Sequence, residues 1–230
     1  MKSLVFLIAL LFAGSAYSQH EFQSWTNVGL EGGIIKKLDW SFELNARVGG
    51  SGLETFFPQA GLSYKVTKWF KPSIEYRYIF EKDEYENYSA VHRINFNAGF
   101  KERVKRFDLG LRLRYQYAFD RIAASENFNP DFDQAIRAKV TIEYDIDNSI
   151  LAPFFNAEFF YNPQFGPKGP GFSKMRYAIG TSLELDGPHD VSIKYQLDKR
   201  INDYSANVRH VVAVSYTYEI SGKKKEKKSK

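Results

Sequence analysis

The feature that most constrains this chain is a two-residue repeat. Across 106–119, Phe107, Leu109, Leu111, Leu113, Tyr115, Tyr117 and Phe119 are all apolar or aromatic. The intervening Arg106, Asp108, Gly110, Arg112, Arg114, Gln116 and Ala118 include no large apolar residue. Successive side chains of an extended strand point to opposite faces, so this repeat puts an oily face and a charged face on one β-strand. A helix would scatter both sets around its surface. The repeat recurs along the chain, as in Trp40, Phe42, Leu44, Ala46 and Val48, which alternate with Ser41, Glu43, Asn45 and Arg47.

Eleven strand candidates follow, most of them 10 to 14 residues long. A tilted membrane strand needs about 9–11 residues, whereas strands in soluble sheets run nearer to about 5–6. Connections alternate in length. Those at 67–68, 102–105, 147–149 and 186–188 read as short; those at 50–55, 81–89, 120–133, 162–173 and 202–205 read as longer. Tight turns at one rim and longer loops at the other characterise outer-membrane barrels. The fold expected is an all-β, antiparallel, up-and-down transmembrane barrel. Single-chain bacterial barrels have even strand numbers. The eleven candidates therefore imply either a twelfth strand at the N-terminus, the count favoured here, or ten with 23–35 outside the wall.

The ends fit export. Met1-Lys2-Ser3 precedes an apolar run from Leu4 to Ala13, and Ala16-Tyr17-Ser18 offers small residues where a signal peptidase reads. That run is shorter than the roughly 20 residues a membrane helix needs, and no apolar run of 18 or more occurs elsewhere. The expected organisation is a signal peptide over 1–18, cleaved after Ser18, a barrel over 19–220, and a disordered Lys-rich tail over 221–230. Short turns facing the periplasm would place the tail there. The tail carries six Lys and one Glu, so the chain's net +5 overstates its basicity. With Lys2 also set aside, the body is near neutral, which argues against nucleic-acid binding. With no Cys, neither disulfides nor a cysteine-linked lipid are available.

Alternation does not say which face points outward; a lipocalin-like soluble barrel would bury the oily one. The exported leader, the strand lengths and the loop asymmetry favour lipid outside. So does a polar face carrying both signs of charge, as in Glu43 with Arg47, Glu75 with Arg77, Asp108 with Arg112 and Arg114, and Arg137 with Glu143. Buried charges need partners, so such residues are expected to pair across strands and fill the lumen. The lumen candidates are Arg47, Glu75, Arg77, Arg93, Arg112 and Arg114 from the first half of the chain. From the second half come Arg137, Glu143, Glu158, Arg176 and Lys194. Trp40 and Trp69, at strand starts, suit a membrane–water boundary.

At His92-Arg93-Ile94 and Arg112-Leu113-Arg114-Tyr115-Gln116 the chain resembles the bacterial family called domain of unknown function 2490. Members share the size, the leader and a paired "HR" strand followed by an "R-x-R-Y-Q" strand. The resemblance covers about 23–220 and implies an exported barrel, with no assigned activity and no catalytic residues.

No catalytic, cofactor or metal site is expected. A lipid hydrolase would need a Ser activated by a His with a polar orienting partner. None of His20, His92, His189 and His210 has that pattern. His92 and His210 share parity with the oily sets, and His189 sits in the turn 187–190. Acidic residues such as Asp83, Glu84, Glu86, Asp131 and Asp133 read as solvated loop rather than protease. There is no His pair at metal-ligand spacing, and 166–171 is too Pro-broken for a phosphate loop. The function expected is a non-enzymatic outer-membrane barrel of a Gram-negative bacterium, structural or an accessory subunit, with a side-chain-filled lumen. The alternatives are a narrow pore for small polar solutes and a rim enzyme such as a lipid hydrolase. Expected partners are outer-membrane lipid and an envelope protein, with no nucleic acid.

Overall fold

A computed structural model describes residues 20–82, 87–122, 134–164, 169–183, 185–201 and 208–220. The leader 1–18, the tail 221–230 and the acidic residues Asp83, Glu84, Glu86, Asp131 and Asp133 lie outside them. Eleven strands make up the fold: β1 (His20–Ile35), β2 (Leu38–Gly49), β3 (Gly52–Tyr64), β4 (Phe70–Lys82), β5 (Tyr88–Val104) and β6 (Phe107–Ile122) come first. β7 (Gln134–Tyr144), β8 (Leu151–Asn162), β9 (Gly171–Leu183), β10 (His189–Arg200) and β11 (Val208–Glu219) follow. Each pairs antiparallel with its sequence neighbour, and β1 pairs with β11 to close the barrel.

That closure corrects the strand count, which is neither twelve nor ten. The segment 23–35 is a wall strand within β1, and no further strand precedes it among the described residues. An even number is needed only when every neighbouring pair is antiparallel. Here β1 and β11 run parallel through twelve register pairs, from His20 with Val208 to Glu31 with Glu219. Parallel hydrogen bonding is only slightly weaker per residue, and it removes the last open edge, so an odd number closes.

The connections at one rim are 36–37, 65–69, 105–106, 145–150 and 184–188; at the other they are 50–51, 83–87, 123–133, 163–170 and 201–207. The second rim carries the longer set, with one exception to the expectation for 50–55. There Gly52 adopts φ +83°, in the left-handed region open to glycine. The chain reverses within two residues, and 52–55 becomes strand. His189 likewise opens β10 rather than lying in a turn.

The two faces differ as the repeat predicts. Forty large hydrophobic side chains are exposed on the described residues, and only nine hydrophobic ones are buried. Fifteen polar or charged residues are buried, among them Asn95, Gln116, Glu158 and Gln196. The usual arrangement of a water-soluble protein is therefore inverted. On the outer wall the aromatics gather in two belts. Near the short-turn rim, Trp69, Phe70 and Phe100 stack with centroids 5.0–6.0 Å apart. Near the long-loop rim, Tyr78, Phe80, His92 and Phe119 form a second chain of ring contacts.

Candidate functional site

The interior holds the chemistry. Side chains on adjacent strands stand about 4.5–5.5 Å apart, closer than the roughly 6.6 Å between same-face neighbours along one strand. Ion pairs therefore form mainly across strands. One row passes through register partners Arg112, Lys139, Glu158, Arg176, Asp198, Arg209 and Glu21, from β6 round to β1.

Glu158, 3% exposed, is the hub of that row. It accepts from Arg137 through Nε at 3.1 Å and Nη2 at 3.0 Å, and from Arg112 Nη2 at 2.7 Å; Arg176 Nη1 lies 3.7 Å away. Arg176 in turn donates two bonds to Asp198, at 2.7 and 2.6 Å, in a bidentate fork. Glu75 is a second hub. It accepts two bonds from Arg114 Nη2 at 2.7 and 2.9 Å, one from Asn97 Nδ2 at 2.9 Å, one from Asn95 Nδ2 at 3.1 Å, and one from Arg77 Nη2 at 3.3 Å.

Among the described residues two interior cavities stand out. The first, about 310 Å³, has walls from Trp25 on β1 to Ser215 on β11 and includes nine of the eleven lumen candidates. Seven Arg and three Lys line it, against two carboxylates, Glu43 and Glu158. The second, about 440 Å³, lies toward the short-turn rim; Glu31, Asp39, Glu43, Glu75 and Glu219 face it with Lys71 as its one basic residue among those described. The Arg114–Glu75 pair joins the wall of one to the wall of the other. The remaining candidate, Glu143, also faces inward, accepting from Ser182 Oγ at 3.1 Å. Side chains thus fill the lumen in part, and the two cavities that share Glu43 differ in charge, one cationic and one acidic.

The charged residues read as sharing a strand find partners mainly on neighbouring strands. Glu43 accepts from Asn27 Nδ2 at 3.0 Å, Arg137 turns to Glu158, and Lys101 approaches Asp108 at 3.7 Å. Glu75 and Arg77 also meet within β4, at 3.3 Å.

Sequence reasoning missed three inward aromatics. Trp25 lies under Arg47 (4.2 Å to the ring centroid) and Arg176 (5.1 Å). Phe57 lies under Arg47 and Arg77, at 5.2 and 5.1 Å. Phe160 contacts Arg137, Lys174 and Arg176 at 4.3–5.3 Å. Their parity was the available signal, since Trp25 falls in step with Gln23 and Asn27, and Phe160 with Glu158 and Asn162. Beside Phe57, Ile79, Val91 and Ala118 complete a small apolar cluster inside the wall. Lys139 and Lys174, also missed, are lumen residues by the same parity.

The outer imidazoles are held by tyrosines. Tyr76 Oη and His92 Nδ1 are 2.7 Å apart, His189 Nδ1 and Tyr216 Oη 2.9 Å, and Tyr195 Oη and His210 Nδ1 2.5 Å. Among the described residues no three His, Asp or Glu side chains cluster in a way that could hold a metal ion.

A closed, mostly antiparallel β-barrel with an apolar exterior and an ion-paired interior is the class of protein these observations define. The chain belongs to the family described as "Protein of unknown function (DUF2490)", whose pattern matches residues 22–210. No curated protein matches it.

Proposed function

We propose that this chain is an outer-membrane barrel of a Gram-negative bacterium, non-enzymatic, serving as a structural or accessory subunit of the envelope. In this reading residues 1–18 are a signal peptide, the longer loops face outward, and the Lys-rich tail lies in the periplasm. The observation that carries the reading is the inverted distribution of side chains. Monomeric soluble proteins rarely expose continuous apolar patches beyond a few hundred Å², yet here the oily face encircles the wall. The belts also fit a bilayer. Phe70 and Phe80 lie ten residues apart on β4, which at about 3.3 Å per residue and a tilt of about 40° separates them by about 25 Å along the axis, the height of the apolar band in such barrels.

The long, ion-paired side chains that cross the interior around Glu75 and Glu158 support a lumen closed to free flow. Fractionation tests the location: the protein stays with outer membranes through a carbonate wash and leaves them only in detergent. Recovery as a folded monomer in the aqueous fraction refutes it. Planar-bilayer recording tests the lumen. Low conductance is the expected result, and large, steady currents transfer the assignment to a pore for small polar solutes.

A further inference from the structure

We propose that the cationic chamber is a binding site for one small polyvalent phosphoryl anion. The inference deepens the closed-lumen reading and rests on the charged face enclosing that chamber. A network built only for stability would match its charges. Here ten Arg and Lys surround the cavity. Glu43 and Glu158 line it, and Glu75 and Asp198 reach it through Arg114 and Arg176. Even with Arg93 and Lys174 set aside as having further partners, the cations outnumber these four carboxylates.

The excess sits on particular groups. Arg47, Lys139 and Lys194 line the cavity and make no hydrogen bond or ion pair among the described residues. Arg47 is held instead by ring faces, Trp25 on one flanking strand and Phe57 on the other. A ring face fixes the guanidinium plane and leaves its N–H edge unused. Lys194 lies across Gly180, where an added Cβ would come within 2.6 Å of the Lys194 Cβ. Lys139 stands between Arg112 and Glu158 in the register row, but Glu158 is already taken up by three guanidinium groups.

Buried donors point the same way. Asn45 Nδ2, Arg77 Nε and Arg112 Nε, all on cavity-lining residues, have no acceptor among the described residues. Buried N–H groups are nearly always satisfied, so such orphans call for an acceptor. Donors arrive from β2, β4, β6, β7 and β10, that is, from several sides of one space. A tetrahedral phosphoryl group offers acceptors in several directions, and guanidinium forks match its oxygens in pairs. A carboxylate offers two oxygens in one plane.

The test is calorimetric titration of inorganic pyrophosphate into the full barrel in detergent, in low-chloride buffer. Sheet circular dichroism and heat-dependent gel migration establish beforehand that the barrel is folded, so failure of binding is separate from failure of the membrane reading. The wild type binds one equivalent saturably, and pyrophosphate raises its Tm. In Lys139→Gln/Lys194→Gln affinity falls at least tenfold, while the anion-free Tm equals or exceeds the wild type's because like charges have been removed. Arg47→Gln, tested separately, shows the same loss and keeps the measurement available if the double variant does not fold. No saturable binding by the folded wild type overturns the inference. So does unchanged affinity in the variants, and citrate binding as tightly as pyrophosphate overturns the phosphoryl assignment.

Discussion

Replacing Glu158 by Gln isolates the central electrostatic claim. The substitution keeps the shape of the side chain and removes one negative charge from beneath Arg112, Arg137 and Arg176. Glu158 and the Arg137 side chain are 3% and 9% exposed, so solvent screens their pairing little. Three hydrogen bonds within 3.1 Å link Glu158 to Arg137 and Arg112. Charge-assisted bonds contribute about 1.5–3 kcal/mol each, and they share one acceptor, so their sum overshoots. Removing one partner from a buried ion pair costs about 3–5 kcal/mol, because the other charge is stranded. The expected loss is therefore about 4 kcal/mol. Urea titration of the barrel in detergent measures it, read by tryptophan fluorescence, for which Trp25 between Arg47 and Arg176 is an interior reporter. A loss below about 1 kcal/mol, the range of solvated surface pairs, refutes the reasoning, because it would mean that water rather than protein surrounds the hub.

Three further outcomes test other parts of the structure. Leu113→Arg, on the outer face opposite Ala98 and Ala138, destabilises the barrel in lipid vesicles by about 2–4 kcal/mol if the wall meets acyl chains; a change within about 0.5 kcal/mol, as at a surface in water, refutes the membrane reading. Gly180→Ala places a Cβ against the Ile193 carbonyl oxygen and 2.8 Å from the Lys194 Cα, which costs about 1–3 kcal/mol as backbone moves apart; thermal melting measures it, and an unchanged Tm contradicts the packing at β9–β10. Because the chain has no native Cys, Ser24→Cys with Val212→Cys, register partners across the parallel seam, cross-links on mild oxidation, seen as a gel shift; absence of the cross-link in folded protein rules out β1 as a wall strand beside β11.

How much of this was legible in the sequence depends on the kind of signal. Alternation places the side chains of 107–119 in β6 on their proper faces, because a strand's period is two whatever its neighbours do. The turn at 50–51 was misread because Gly49-Gly50-Ser51-Gly52 resembles loop composition, and the tight reversal depends on the backbone geometry of Gly52. Strand parity was applied to charged residues and not to Trp25, Phe57 and Phe160, since aromatics on a membrane wall suggest lipid contact. The hub role of Glu158 was invisible for a different reason. It depends on how β6, β7 and β9 are aligned beside β8, and no local pattern in β8 encodes where Arg112, Arg137 and Arg176 fall. The strand count failed for a similar reason, because closure joins residues 188 positions apart, as in Glu21 and Arg209.

The parallel seam has a consequence for how such a chain is assembled. Ten strands can be laid down as five hairpins, each zipped to its neighbour through a tight local connection. An eleventh has no hairpin partner left, so its second edge must find one from the far end of the array. Closure is then a single long-range event, made after the rest is in place. Because the first and last strands run the same way, the start of β1 and the end of β11 lie at opposite rims, so reporter groups attached just before His20 and just after Glu219 report from opposite sides of whatever layer the wall occupies.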